Sequence, residues 1–293
     1  MSESKHTHRF LPVFLLFVLS LIWGSSFILI KKALISFDSV QVGALRMIFA
    51  YLAMFPFGIV AFRKIPRQQW KYVAIMGFVG SFFPSFLFSL AVSRIPSSIT
   101  GVLNALTPSF TLIVGYFFYQ TTIKKINLIG LIIGLIGSIG LSLLKSDGKL
   151  GTFNFYMLLV VAAAIFYAFN TNIIKKYGKD IPSIYLSGMS LFFIGPLALM
   201  VFFSTSIKES FQQTQVWESL AYVAILGTMG TAFAVILFNK LIQITSAVYA
   251  SSVTYLIPIV AILWGIIDKE PLYFTHYIGI SFILVGVYLV NKK

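Results

Sequence analysis

Apolar runs of about twenty residues, parted by short polar breaks, tile the chain almost end to end. A helix needs ~20 mostly apolar residues to cross a bilayer, so each run predicts a span. Reading between the breaks places ten of them at about 11–31, 41–62, 72–92, 98–119, 126–144, 153–174, 183–203, 219–239, 246–267 and 272–290. The expected fold class is an all-α polytopic membrane protein with ten transmembrane helices. The first run follows Lys5 and Arg9 as a signal peptide would, but it is too long for a signal and no small-residue cleavage pattern follows, so it reads as an uncleaved span. The first and sixth runs have the least sharp ends, at Lys31-Lys32 and Lys175-Lys176.

The pattern also repeats within the chain. Gly77-Phe78-Val79-Gly80 recurs as Gly227-Thr228-Met229-Gly230, Leu87-Phe88 as Leu237-Phe238 and Pro108 as Pro258, all at an offset of 150 residues. Lys31-Lys32 matches Lys175-Lys176 at 144, and Gly130 and Gly137 match Gly279 and Gly286 at 149. The offset changes at loops, so each half holds five spans, with residues 1–148 forming one unit and 149–293 the other. An odd number of spans inverts the second half relative to the first, as in the inverted-topology repeats of transporters.

Composition and charge narrow the picture further. Of 293 residues 58% are apolar and 10% charged, with a mean hydropathy of +0.93, which excludes a soluble enzyme. The net charge of +14 would suit a nucleic-acid binder, but its placement encodes topology instead. With the N-terminus inside, inner segments hold fourteen Lys and Arg residues and outer segments seven, with Arg46 inside a span. That bias predicts both termini in the cytoplasm, no nucleic-acid partner, and the lipid bilayer as the main surroundings. Zero cysteines exclude disulfides, thiol nucleophiles and cysteine-ligated metals.

Candidate functional residues follow from polarity where a membrane helix should have none. Ser97, Gly101, Asn104 and Pro108 share one face of the fourth span, and Ala247, Ser251, Thr254 and Pro258 repeat that stripe in the ninth. Either the small residues permit close packing and Pro kinks the helix, or the two faces meet and line a midplane cavity; the two roles are compatible at different depths. Trp23 and Ser26 in the first span correspond to Tyr167 and Asn170 in the sixth, where Asn172 follows. A buried amide needs a partner or a wet cavity, and the two aromatic rings serve packing or a substrate face. Arg46 either snorkels outward and caps backbone carbonyls or attracts a carboxylate near the outer mouth. Gly130, Gly134, Gly137 and Gly140, partly echoed by Gly279 and Gly286, offer close helix contact within the monomer or across a homodimer.

All eight acidic residues fall in loops or at span ends, and His6, His8 and His276 are likewise near ends. No metal-ligand set, catalytic acid–base pair or phosphate-binding loop is present, so neither a metal, a cofactor nor an enzymatic activity is expected. Without a midplane carboxylate the expectation is uniport, or weak coupling through end groups such as Glu270 or His276.

The run Trp23 to Phe27 (WGSSF), the Pro108 and Pro258 helices running toward Gln120 and Glu270, and the glycine-rich fifth and tenth spans resemble the EamA family of the drug/metabolite transporter superfamily. The resemblance covers nearly the whole chain as two such units. It implies a bacterial inner-membrane permease, often an exporter of amino acids or other small metabolites, with a central cavity between the repeats. Family members commonly carry an acid where this chain has Gln120, so Glu270 has no acidic counterpart in the first half. A nucleotide-sugar or sugar-phosphate exchanger is the alternative, though it would place several cations in the cavity where only Arg46 is available. A non-transport membrane protein would have no need of mirrored Pro helices.

Overall fold

The computed structural model describes residues 3–122, 124–143, 154–270 and 274–291. Eight helices among them are long and apolar enough to cross a membrane. In chain order these are α1 (Glu3–Ala33), α2 (Ser39–Lys64), α3 (Arg67–Val92), α4 (Ser97–Tyr119), then α6 (Tyr156–Tyr177), α7 (Ser183–Phe203), α8 (Val216–Ile244) and α9 (Ala247–Ile267). Between and after them lie α5 (Lys125–Leu143) and α10 (Phe274–Asn291). The expected fifth and tenth spans fall on this pair. The eighth runs five residues past its expected end, to Ile244.

Local chemistry accounts for the helix limits. Asp38 caps α2 by accepting from the backbone N–H groups of Val40 and Gln41, while the Gln41 side chain accepts from the Asp38 N–H, a reciprocal capping box. Gln41 then accepts from Ser210 and donates to Thr205, which ties the start of α2 to the segment after α7. Pro residues begin α4 and α7 from the N-cap, where the missing N–H costs nothing.

Four helices are interrupted, in two matched pairs. Helix α3 widens to a π-helical turn at Phe78–Phe82 and α8 at Thr228–Phe233. Helix α4 tightens to a 3₁₀ turn at Asn104–Leu106 and α9 at Ser252–Tyr255. The second pair has a plain cause. A proline clashes with the carbonyl four residues before it and gives it no N–H, and the residues four before Pro108 and Pro258 are Asn104 and Thr254.

The apolar core divides into two clusters. One gathers Ile30, Val42, Phe88, Ile99 and Leu226; the other gathers Leu19, Val73, Ile174, Leu241 and Val253; and Trp23 packs against both. Large side chains such as Phe17, Leu52, Phe117, Met200 and Ile267 face outward, a surface suited to lipid. Helices α2 and α7 pack along their lengths, as do α5 and α10. In the latter pair a Cβ on Gly286 would lie 2.4 Å from the Gly134 N and 2.5 Å from the Gly130 O, so these glycines meet inside the monomer.

Candidate functional site

A cavity lies between the two core clusters, bordered by α1, α2, α3, α4, α6, α8 and α9. Eight sequence-selected residues line it: Trp23, Ser26, Arg46, Asn104, Tyr167, Asn170, Ser251 and Thr254. Pro108 and Pro258 do not; they act one turn away, by breaking the helix where Asn104 and Thr254 sit. Gly101 serves the packing reading instead, since a Cβ there would lie 2.5 Å from that of Ala261 on α9. Within the two stripes Gly101 thus packs closely, while Asn104, Ser251 and Thr254 border the cavity.

The π-helical turns also open onto this space, through Gly80 and Gly230. Such turns leave carbonyls without their usual partner, and the Trp23 indole N–H donates to the Gly230 carbonyl at 2.9 Å. The Trp23 ring stands edge-on to Phe238, with centroids 4.9 Å apart. Gly80 gives Asn170 its place, because a Cβ at Gly80 would lie 2.4 Å from the amide nitrogen. Asn170 is only 7% exposed and its Oδ1 has no hydrogen-bond partner. Asn172, by contrast, donates to the Thr111 and Ala168 carbonyls and is an interhelical tie. The two amides that looked alike in sequence have different jobs.

Arg46 neither snorkels nor caps carbonyls. It is 6% exposed, its Nε donates to Thr231 Oγ1 at 2.8 Å, and its guanidinium lies against the Tyr167 hydroxyl. The π-turn of α8 supplies Thr231, which sequence reasoning passed over; its offset-150 partner is Ser81, also in the lining. That polar pair was the signal available.

A cluster of charges lies toward one end of the cavity, beyond Ile30 of its lining. Glu270 Oε1 accepts from Lys31 Nζ at 2.8 Å, the Ser97 hydroxyl at 2.7 Å and the Ser97 N–H at 3.1 Å. Its Oε2 accepts from the Ser98 hydroxyl at 2.6 Å and the Ser98 N–H at 3.0 Å. Asp268 bridges Lys31 and Lys32. The carboxylate thus caps the N-terminus of α4, where the helix dipole also favours it. Burial by itself would raise the Glu270 carboxyl, but Lys31, Ser98 and Ser97 hold it down at about 2.

A carboxylate depressed in the folded state adds stability above its ordinary value of 4.5, and that stability is withdrawn as pH falls toward 2. The thermal midpoint in detergent is therefore expected to drop between about pH 4.5 and 2, and to drop less in Glu270→Gln. An equal drop in both proteins would remove the latch from the account.

A second recess lies toward the other end. Along α4 the order is Ser97 and Ser98 at the charge cluster, Asn104 and Thr107 at the cavity, then Thr111 and Phe118 at a recess of about 530 Å³. Helix α9 runs the opposite way, from Ala247 and Val248 at the recess, through Ser251 and Thr254, to Asp268 and Glu270 beyond its end. The cavity between is narrow, about 50 Å³. At the recess the positions matching Ser97, Ser98 and Glu270 are Ala247, Val248 and Gln120. Lys175, the match of Lys31, donates to the Ile242 and Thr245 carbonyls, and Lys176 lies over the Tyr119 and Tyr177 rings.

Among the described residues, no group of three or more His, Cys, Asp or Glu side chains could hold a metal. The sequence profile of the EamA-like transporter family matches residues 10–143 and again 154–292. The chain is 26% identical to an uncharacterized inner membrane transporter, YedA, of Escherichia coli (strain K12), over 97% of this chain and 92% of that one. It is 27% identical to an uncharacterized transporter, YetK, of Bacillus subtilis (strain 168), over 79% and 72%. A more distant relative at 20%, over 87% and 81%, is the S-adenosylmethionine/S-adenosylhomocysteine transporter of Chlamydia trachomatis. One solved crystal structure superposes with a TM-score of 0.67 over 96% of both chains at 16% identity, a likeness of fold.

Proposed function

The chain belongs to the EamA-like transporter family, and from that premise we propose that it is a secondary transporter moving small organic metabolites, amino acids being one class, across the bacterial inner membrane. Export is the direction proposed, by alternating access of the cavity to the two sides. The observation that carries this reading is the column along α4 and α9: a charge latch at one end, a polar cavity in the middle and an open recess at the other. In this scheme the latch closes one end and the recess is the mouth of the other, as a carrier presents in one of its two states.

The reading extends to ten membrane helices arranged as two inverted units, residues 1–148 and 149–293. The two family matches and the paired helix breaks support it. On the positive-inside rule both termini are cytoplasmic, the latch faces out and the recess faces in. Reporter fusions are expected to place the Lys64–Arg67 and Gly178–Ile181 loops inside and the Phe37 and Ser204–Ser206 loops outside. A C-terminus found outside would defeat the inverted-repeat reading.

Transport is uniport in this scheme, because the lining offers no carboxylate or imidazole to exchange an ion for solute. Imposed pH or Na⁺ gradients are expected to leave equilibrated solute undisturbed in proteoliposomes, and uphill accumulation would show coupling. The cavity itself is tested by single cysteines, which are clean probes in a chain without any. Cysteines at 104 and 254 are expected to react with small polar thiol reagents in transport-competent protein. Inert cysteines at both positions would sink the cavity assignment.

A further inference from the structure

We infer that the solute this cavity takes is a small organic monoanion, a carboxylate whose second polar group is an uncharged hydrogen-bond donor rather than an ammonium. The inference rests on the transport reading for taking this cavity as the ligand site, and it narrows the solute class.

The argument starts from a charge without a counter-charge. Arg46 is the one ionised side chain in the lining, and the salt bridges found among the described residues all belong to the latch. Its recorded contacts in the protein, the Thr231 and Tyr167 hydroxyls, are neutral. A buried guanidinium has five N–H donors in a planar fork matched to a carboxylate. A buried charge requires a partner, and here the partner that completes the site is the ligand. One cation neutralises one negative charge, so phosphates and dicarboxylates are poorly met.

The second observation is independent of the first. Asn170 Oδ1 is a buried acceptor without a protein donor, on a side chain that borders the same cavity. Buried polar atoms in native proteins are almost always satisfied; of the five unpartnered buried side-chain oxygens among the described residues only this one belongs to a residue bordering the cavity, so it is the one that an O–H or N–H of the occupant would answer. An ammonium would answer it, but no carboxylate in the lining would balance the added charge, and the ammonium would stand in the field of Arg46. A hydroxyl or amide answers it without that repulsion. Trp23, Phe27, Phe88 and Phe238 cover the rest of the wall and fit an apolar body.

Size sets the last limit. A cavity of about 50 Å³ by this measure holds roughly four waters, on the order of 120 Å³ of liquid. That corresponds to an organic ion of roughly six to eight non-hydrogen atoms.

The test uses the full-length protein in detergent and three solutes of one skeleton, 2-hydroxy-3-methylbutanoate, valine and 2-hydroxy-3-methylbutanamide, with plain 3-methylbutanoate as the reference that lacks the second polar group. Calorimetry is expected to show the hydroxy acid binding at least tenfold more tightly than either neutral-overall analogue. Arg46→Gln is expected to erase the preference for the carboxylate over the amide, and Arg46→Lys to keep part of it. Asn170→Leu is expected to erase the advantage of the hydroxy acid over plain 3-methylbutanoate. Valine or the amide binding as well as the hydroxy acid would overturn the inference, as would failure of all three to bind; both results are read on unmutated protein, so a variant that does not fold cannot mask them. Uptake into proteoliposomes is scored separately. Binding without uptake upholds the inference and overturns the transport reading; uptake of valine without binding of the hydroxy acid does the reverse.

Discussion

Glu270→Ala is expected to open the latched end of the cavity. In an otherwise cysteine-free chain, a cysteine at Ile30, which borders the cavity on the α1 turn nearest Lys31, should gain at least tenfold in reactivity toward a membrane-impermeant thiol reagent applied from the latch side. The physical reason is how much one carboxylate holds together. It accepts five hydrogen bonds, joining the C-terminal end of α1 to the start of α4 from a position just past α9. Removing it leaves Lys31 with Asp268 alone and strips two N–H groups of α4 of their cap, a loss on the order of 0.5–2 kcal/mol for the cap, to which the Lys31 pair adds little because that lysine is more than a third exposed. Lys31→Gln removes fewer of these bonds and should have the smaller effect. Accessibility is measured as a labelling rate with the reagent on one side of oriented vesicles, and equal rates in the parent and in Glu270→Ala would show that the latch does not seal that end.

Gly77→Val and Gly227→Val are expected to be the most damaging single changes in the repeated segment, each costing ~1–3 kcal/mol or more through overpacking. A Cβ at Gly77 would lie 2.4 Å from the Ser190 carbonyl oxygen of α7. At Gly227 it would lie 2.6 Å from the Phe49 Cβ and 2.7 Å from the Arg46 carbonyl oxygen of α2. Backbone cannot step aside as a flexible side chain can, so the helices must separate. The two variants differ in consequence: Gly77→Val strains the α3–α7 contact, whereas Gly227→Val moves the very turn that carries Arg46. Both should lower the thermal midpoint in detergent, and Gly227→Val should also weaken ligand binding beyond its loss of stability. Unchanged midpoints would mean that these helices are less closely seated than described.

Much of this could be read from the chain because a membrane helix states its case in composition. The bilayer tolerates no unsatisfied backbone, so a twenty-residue apolar run has one stable form, and the eight membrane-length helices fall within a few residues of the expected runs. The small and polar stripe with Pro108 and Pro258 was likewise legible, since a proline acts on the carbonyl four residues back whatever surrounds it. Tertiary structure decided what each polar group meets. Asn170 and Asn172 are two residues apart on one helix, yet one borders the cavity and the other ties α6 to α4. Arg46 sat in a span by sequence, and only the π-turn of α8, bringing Thr231 to it, turned the guanidinium inward. Glu270 read as an end group, but its partners lie 172, 173 and 239 residues away, a separation no local pattern reports. Periodicity and composition record what a residue prefers as its surroundings; the partner that satisfies a buried charge is set by how distant helices pack.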